Sequence, residues 1–453
     1  MLITLLVLAP LQPEPKPAES APPPAAPAIT PEVLWSVPTR SASFGSAAVA
    51  DVNGDGRPDV AFACYFGDST IRVLDGRNGE EIWSHDASKA VGGDACLDAS
   101  CRLFDVDGDG KLELIVPVSN RSEVLCFDAA KGGLKWTYEA GLGECIDTPP
   151  LIQDLDGDGK VEIVVGTFKG ALHIIDREGK RVARLPAAKG AVQSCPTFFP
   201  AGSAKKPALL AGNFGGDHAF HAVAYPGGEE VFRVQTGGHI YHGAAVADLN
   251  GDGRADLVGC SYDGKVYAFD ADGKELWTVK PGDRYFMSPA SIGDLDGDGK
   301  PEVIVASEKV TVLRADGTTV YSEPAAPKSQ AWAVTRGVAL ADLDGDGKPD
   351  LAYTDGTGRL TVRRGFDGRP VAEFEGGSLL PKPPQTASHA PVIADFDGDG
   401  LLDVFYVAGH GDARGGSFGA AICLKGFNGK GPGWTTMRHD ERNTGAAMGD
   451  RKP

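Results

Sequence analysis

Asp51-Val52-Asn53-Gly54-Asp55-Gly56-Arg57-Pro58-Asp59 is the first of seven near-copies of one nonapeptide in a chain of 453 residues. The others read DVDGDGKLE from Asp105 to Glu113, DLDGDGKVE from Asp154 to Glu162 and DLNGDGRAD from Asp248 to Asp256. Three more follow: DLDGDGKPE from Asp294 to Glu302, DLDGDGKPD from Asp342 to Asp350 and DFDGDGLLD from Asp395 to Asp403. Side-chain oxygens recur at position 1 (Asp51, Asp105, Asp154, Asp248, Asp294, Asp342, Asp395) and position 3 (Asn53, Asp107, Asp156, Asn250, Asp296, Asp344, Asp397). They recur again at position 5 (Asp55, Asp109, Asp158, Asp252, Asp298, Asp346, Asp399) and position 9 (Asp59, Glu113, Glu162, Asp256, Glu302, Asp350, Asp403). Glycine holds positions 4 and 6, where a chain curling round an ion needs positive φ. Position 7 (Arg57, Lys111, Lys160, Arg254, Lys300, Lys348, Leu401) is placed to offer its backbone carbonyl. An all-oxygen set at this spacing suits a hard cation, and Ca²⁺ above zinc or copper. A solvated Asp/Gly turn would account for one such loop. Seven in near-regular register predict about seven Ca²⁺ sites.

The spacing of the loops sets the architecture. Their first aspartates are separated by 54, 49, 94, 46, 48 and 53 residues. The doubled step marks a repeat that has lost its loop. Ser194 to Gly212 (SCPTFFPAGSAKKPALLAG) aligns with Thr148 to Gly166 (TPPLIQDLDGDGKVEIVVG), with Pro200, Gly202, Ala204 and Ala208 in the ligand positions. That loop is expected to bind no metal. Eight units result. The fifth shows the plan: strands at Gly243 to Ala247, Ala255 to Cys260, Lys265 to Asp270 and Glu275 to Val279, separated by the acidic loop and two turns. Four antiparallel strands repeated at this period predict an all-β chain, an eight-bladed β-propeller with calcium loops between strands one and two of most blades. Two segments compete to close the ring, Glu32 to Val37 and Trp434 to Arg438. The N-terminal one is preferred, with Gly433 to Gly445 packed against the seam.

Phe44-Gly45-Ser46-Ala47 followed by the first loop resembles the FG-GAP repeat, and the other loops resemble both it and the VCBS repeat. The resemblance extends over nearly all of residues 32–430. It implies a propeller like the head of integrin α subunits, with calcium in the loop between the first two strands of a blade. The repeat tails, such as Lys265 to Asp270 through Trp277 and Val124 to Asp128 through Trp136, resemble PQQ-like propeller repeats. That second resemblance implies eight blades where integrins have seven.

The formal charge is −18, which argues against nucleic acid as a partner. Of the 28 ligand positions 26 are carboxylates, so seven bound Ca²⁺ would bring the charge near −4. The acidity reads as a metal signature. Leu2 to Leu8 is too short to span a bilayer and suits the apolar part of a signal peptide in residues 1–11, although no Lys or Arg precedes it. Residues 12–31 read as a Pro/Ala-rich linker, 32–445 as the propeller and 446–453 as a tail. A secreted, periplasmic or cell-surface monomer is expected, and in that setting some of the eight cysteines should be bridged. Cys96 with Cys101 and Cys145 with Cys195 are the candidate pairs. Cys64, Cys126, Cys260 and Cys423 are expected as buried thiols.

The rim opposite the acidic loops varies most between repeats and is where a ligand is expected. Its candidates are His239, Tyr241, His242, Arg284, Tyr285, Trp332, Arg336 and His389. Around them stand Asp94, Asp98, Glu144, Asp147, Phe286, Asp217, His218, His221, His410, Asp412 and Arg414. Aromatic, His, Arg and carboxylate side chains together suit a carbohydrate or a protein ligand. The same types also serve as ordinary loop residues with local hydrogen bonds. No nucleophile–base or nucleotide-loop motif stands out, so no catalytic residue is assigned. The reading is a binding or adhesion module. The alternatives are a carbohydrate-active enzyme of the rhamnogalacturonan-lyase-like propeller type, whose active-site pattern is not matched here, and a PQQ-dependent oxidoreductase.

Overall fold

The computed structural model describes residues 28–90, 94–202, 206–282, 284–326, 334–384, 389–435, 438–440 and 446–447. Its strands form eight sheets, each built on four antiparallel strands. We letter them a to d from the ring axis outward. Blade 1 runs Ala48–Ala50, Asp59–Ala63, Thr70–Leu74 and Glu81–Asp86. Blades 2 to 7 start at Arg102, Leu151, Thr197, Ala245, Ser291 and Ala339. Blade 8 takes strands a to c from Val392–Ala394, Asp403–His410 and Phe418–Lys425, and its strand d is Glu32–Thr39 from the other end of the chain. The N-terminal segment therefore closes the ring, as its alternating pattern suggests. Trp434 makes a single bridge to Ile393 and takes no part in an outer strand.

The acidic nonapeptide joins a to b, so it lies on one rim with the c–d turns. The b–c loops and the loops leading into strand a lie on the other. Alternation fills both faces of each sheet with apolar side chains, and the core forms as clusters between neighbouring blades. Trp35, Phe62, Phe405 and Cys423 pack blade 8 on blade 1, and Phe199, Phe220, Tyr267 and Phe269 pack blade 4 on blade 5. A second device recurs at the rim. Strand d of one blade sets a large side chain on the c–d turn glycine of the next. Trp35 sits on Gly79, Trp83 on Gly132, Trp136 on Gly179, Phe232 on Gly273, Trp277 on Gly317 and Tyr321 on Gly368. A Cβ at Gly132 (φ +69°) would lie 2.6 Å from the Trp83 ring, so both the backbone and the contact require glycine there. The indole N–H of Trp83 donates to Ala129 O at 2.7 Å in the same turn.

The side chain that reaches the next blade is aimed by a β-bulge. In all eight blades the c–d ladder skips one residue of strand d: Leu34, Ile82, Lys135, Val182, Val231, Leu276, Val320 and Val371. In six of them the next residue is the large side chain just named, and in blades 3 and 7 it is Ala183 and Ala372. A bulge sets two consecutive side chains on one face. Seven of the eight skipped residues are apolar.

Blade 4 confirms the missing loop. Its a–b ladder runs on through Pro200–Pro207 and Ala201–Lys206 where the others open into the nonapeptide. The C-terminal segment does more than pack on the seam. Ile393 and Trp434 exchange backbone hydrogen bonds, and Val49 N–H donates to Thr435 O. Arg438 then reaches Ala244 O in blade 5, and Ala446–Ala447 pairs in parallel with strand a of blade 6. The described parts of this segment thus touch the innermost strands of blades 8, 1 and 6 and the residue leading into that of blade 5. Trp434 and Arg438 are each only 1% exposed.

The cysteines depart from the expected bridging. All eight are free thiols, and every one except the half-buried Cys145 is buried. Cys96 and Cys101 do not pair, nor do Cys145 and Cys195. Burial pushes the Cys101 and Cys260 thiols up to about 11 and 12, which makes them inert packing groups. Among the described residues no helix is long and apolar enough to cross a membrane.

Candidate functional sites on the two rims

The seven nonapeptides share one conformation. The position-1 aspartate accepts the position-4 N–H on Oδ1 and the position-6 N–H on Oδ2, at 2.7 and 2.8 Å for Asp51 and the same for Asp248. Gly54 and Gly56 take φ of +80° and +84°, which puts both N–H groups on the inside of the turn. The position-9 carboxylate begins strand b and accepts the position-2 N–H with one oxygen, at 3.0 Å from Val52 to Asp59 and 2.9 Å from Leu343 to Asp350. In blades 2, 3, 6 and 7 it also comes within 4.8 Å of the carboxylates at positions 1 and 3.

Five loops bring three carboxylates to within 4.8 Å of one another: Asp105/Asp107/Glu113, Asp154/Asp156/Glu162, Asp294/Asp296/Glu302, Asp342/Asp344/Asp350 and Asp395/Asp397/Asp399. Such a group can hold a metal ion. In the remaining two loops position 3 is Asn53 or Asn250. The position-9 side chains are the buried members. Burial, reinforced by the neighbouring carboxylates, raises Asp59 and Asp256 to about 6, Asp403 to about 7 and Asp350 to about 8. Asp256 Oδ1 is buried with no hydrogen-bond partner. An unpaired carboxylate oxygen in that place is a large penalty unless something positive meets it. The donor set therefore fits a hard divalent cation.

The opposite rim gathers loop residues from many blades. Arg336, 6% exposed, is held between the rings of Phe44 and Tyr241, its guanidinium carbon 5.2 and 5.0 Å from their centroids. These three residues line a recess at the channel mouth with Asp98, Asp147, Gln193 and His242. Asp147 accepts from Gln193 Nε2 at 3.1 Å and from the Ser119 hydroxyl. Burial raises both Asp98 and Asp147, and Asp98 adds to the rise at Asp147. Asp98 Oδ1, Gln193 Oε1 and Arg336 Nε have no hydrogen-bond partner. Polar atoms buried unpaired at the edge of a recess are the groups a ligand would satisfy. Gly243 follows His242, and a Cβ there would lie 2.4 Å from Arg438 Nη1. Arg438 therefore lies against the backbone next to His242.

From Tyr241 a band of rings runs outward over blades 4 to 6. Phe214 stacks on His239 at 4.6 Å and meets Tyr241 and Tyr262 edge-on at 5.9 and 5.7 Å. His218 meets His239 at 4.6 Å, and Tyr262 meets Tyr285 at 4.7 Å. All six rings are half-buried. Of the sequence candidates, His239, Tyr241, His242, Tyr285 and Arg336 therefore lie in this one region. Arg284 lies in a separate depression with Phe286, Glu308 and Lys309, ion-paired to Glu308 at 2.7 Å. Trp332 lies outside the described residues. Phe44 enters the sequence reading only through the repeat motif, and Gln193, Phe214 and Tyr262 are not among its candidates; the last two rings could have been found by weighting aromatic residues in b–c loops.

Several candidates are engaged in local ion pairs. His221 bridges Asp217 at 3.0 Å and Glu230 at 2.9 Å. Buried Glu144 binds Arg184 at 2.9 Å, and Asp412 pairs with Arg414. His389 is 1% exposed beneath blade 8 against Phe405, with neither ring nitrogen hydrogen-bonded. It offers no surface to a ligand. Burial, then the Arg336 charge, lowers it from 6.5 to about 3. The unfolded chain takes up this proton near pH 6.5 and the folded chain only near pH 3. The His389 contribution to stability is thus unchanged above pH 6.5 and falls with pH below it, by up to about 1.4 kcal/mol per unit. We expect His389→Leu to flatten the acid limb of a stability–pH curve between pH 6.5 and 4. Parallel wild-type and variant curves from urea denaturation would show that His389 is protonated or rehydrated in the fold.

A sequence profile described as an FG-GAP-like repeat matches residues 51–116, 248–305, 294–353 and 342–406. Each matched stretch begins on the first aspartate of a nonapeptide. A lambda-carrageenase of Pseudoalteromonas sp is 28% identical over 102 residues, 21% of this chain and 11% of that enzyme. The chain thus spans about a tenth of the length of that curated relative. The V. cholerae biofilm matrix protein Bap1 superposes with a TM-score of 0.63 at 15% identity, over 87% of this chain and 91% of that one. Saccharomyces cerevisiae Sqt1 gives 0.62 at 11% identity, over 87% and 99%. The quinohemoprotein alcohol dehydrogenase ADHIIG of Pseudomonas putida HK5 gives 0.59 at 14%, over 89% and 78%. At these identities the likeness to solved structures concerns the fold alone.

Proposed function

Since the chain is an eight-bladed β-propeller of FG-GAP-like repeats, we propose that it is a calcium-stiffened carbohydrate-binding module that works outside the cytoplasm. The calcium ions sit in the nonapeptides, on the side chains of positions 1, 3, 5 and 9 and the carbonyl of position 7. Each cross-links the a–b connection from which strand b and the blade are hung. The ligand lies on the other rim. The observation that carries this reading is the half-buried band Phe214, His218, His239, Tyr241, Tyr262 and Tyr285, which ends at the unpaired polar atoms of the recess. Ring faces take the apolar faces of sugar rings, and carboxylate, amide and guanidinium groups take the hydroxyls. Similarity to a carrageenase and to the fold of a biofilm matrix protein is consistent with a carbohydrate-related or adhesive role.

The test is a glycan array followed by calorimetry on the best binder. Replacing Tyr262 and Tyr285 together with Ala should weaken binding at least tenfold, as loss of clustered aromatic contacts does elsewhere. The melting temperature should move by less than about 2 °C, because both rings are rim residues. Tyr241 is a poorer choice, since it also clamps Arg336. No binding to any glycan by folded, calcium-loaded protein would remove the carbohydrate reading and leave a protein ligand as the occupant of the rim. The paired carboxylates Asp98 and Asp147 favour a second reading, cleavage of the same ligand by an acid–base pair. Incubation with pectins and carrageenans tests it, through new reducing ends or unsaturated products.

A further inference from the structure

We infer that in blade 2 the ammonium group of Lys135 takes the place that calcium takes in the other acidic loops, so that the loop from Asp105 to Glu113 is closed by the chain itself. The inference rests on the calcium reading above and refines it. Lys135 is the residue skipped by the c–d ladder in blade 2, and its counterparts are Leu34, Ile82, Val182, Val231, Leu276, Val320 and Val371. Seven blades place an aliphatic side chain there. Only blade 2 places a cation.

That cation reaches back over its own blade into the acidic loop. Lys135 Nζ lies 2.6 Å from Asp107 Oδ2 and 2.7 Å from Glu113 Oε1. These are positions 3 and 9 of the nonapeptide. Glu113 begins strand b and its side chain is 2% exposed, and its other oxygen accepts the Val106 N–H at 2.9 Å. With Lys135 in place both of its oxygens are satisfied, whereas Asp256, at position 9 of blade 5, keeps one oxygen unpaired. Lys111 takes the position-5 carboxylate of Asp109 at 3.4 Å.

Other basic side chains approach acidic loops without filling them. Arg364 Nε lies 2.7 Å from Asp344 Oδ2 and 3.8 Å from Asp346, on positions 3 and 5, and leaves the buried position-9 carboxylate Asp350 without it. Lys425 stops 3.9 Å from Asp397. Among the described residues Lys135 alone bridges the two positions that a cation must join to tie the loop to strand b. Calcium needs six to eight oxygen ligands, and those of positions 3 and 9 become available only if the ammonium is expelled. Expulsion breaks two charge-assisted hydrogen bonds and frees a positive charge beside the incoming ion. Blade 2 should therefore need calcium least among the seven loop-bearing blades.

Calcium per chain is to be measured by equilibrium dialysis and elemental analysis, on wild type and on Lys135→Leu. Leucine is the residue blades 5 and 8 use at this place, so folding should be retained. Free calcium is set at the level that just saturates the strong sites of wild type. The expected result is one more bound ion in the variant, six rising to seven. Equal, non-zero numbers in the two proteins overturn the inference and leave the calcium reading standing. No calcium in either protein defeats both. Amide hydrogen exchange of wild type gives a reading that does not depend on the variant. On adding EGTA, exchange within 154–162 and 294–302 should accelerate at least tenfold and exchange within 105–113 should stay within twofold. Equal acceleration in all three loops would show that Lys135 swings aside and calcium fills blade 2 as it fills the rest.

Discussion

Addition of EGTA to the calcium-loaded protein should lower its melting temperature by on the order of 20 °C, or melt it outright at room temperature. Five of the loops gather three carboxylates within 4.8 Å of one another, and all seven bury the one at position 9. With the ion gone, these charges repel across the a–b connection, and strand a, the innermost of the blade, lies directly behind it. An ion held a hundredfold above its Kd stabilises the native state by about 2.7 kcal/mol per site. Six such sites together reach or exceed the roughly 5–15 kcal/mol that separates a typical folded domain from its unfolded chain. One loop can therefore fail without loss of the ring, and all cannot. The measurement is thermal melting and limited proteolysis with and without EGTA at fixed ionic strength, since screening alone weakens carboxylate repulsion. Identical melting points and digestion patterns would mean that the apolar blade faces hold the ring unaided.

Trp35→Ala should be the most damaging single substitution in the propeller, at about 3–5 kcal/mol. Trp35 is 6% exposed, donates its indole N–H to Gly76 O at 2.6 Å and covers Gly79, both in blade 1, while its ring lies 5.7 Å from Phe405 in blade 8. Trp277 makes the equivalent bond to Ala315 O at 2.8 Å. The difference lies in how each strand is held. Strand d of blade 5 follows strand c through a turn, whereas strand d of blade 8 is tied to its neighbour by pairing alone. Removing the indole from Trp35 thus weakens the one seam with no covalent link. If the ring melts as one unit the shift is about 4–6 °C, and Trp277→Ala should give less. Equal shifts for the two variants would overturn the claim that the seam is the weak point.

Much of this fold was legible in the sequence, for reasons that can be located. The nonapeptide is legible because its ligands and glycines are contiguous, so chemistry and spacing appear together. The missing loop of blade 4 is legible because Pro200 and Ala208 stand in an otherwise preserved frame. Closure by Glu32–Thr39 is legible because a lone strand-d pattern with its tryptophan stands ahead of the first loop. The rim site is not local in this way. Phe44, Asp98, Gln193, Tyr241 and Arg336 meet because the ring brings blades 1, 2, 4, 5 and 7 to one axis, and no sequence spacing records that meeting. His389 shows the converse. It stands where a loop histidine could face solvent, and only the packing against Phe405 shows that it does not. Nothing in the sequence around Lys135 sets it apart from other strand lysines, because its distinction lies in the register of the c–d ladder.

Pairing of Glu32 with Lys425 and Thr39 with Gly419 also sets an order of events in time. On a ribosome the strand that completes blade 8 is made first and its partner about 390 residues later. At 5–20 residues per second it waits roughly 20–80 s for that partner. Blades 1 to 7 can fold as they emerge, because each holds all four of its strands in sequence. The last blade cannot. Until the early strand returns, strand c of blade 8 is an open edge, Phe418–Lys425, seeking a partner. An early strand from a second nascent chain would fit that edge equally well. Closure within one chain therefore competes with strand exchange between chains, and dilution during refolding should decide which wins.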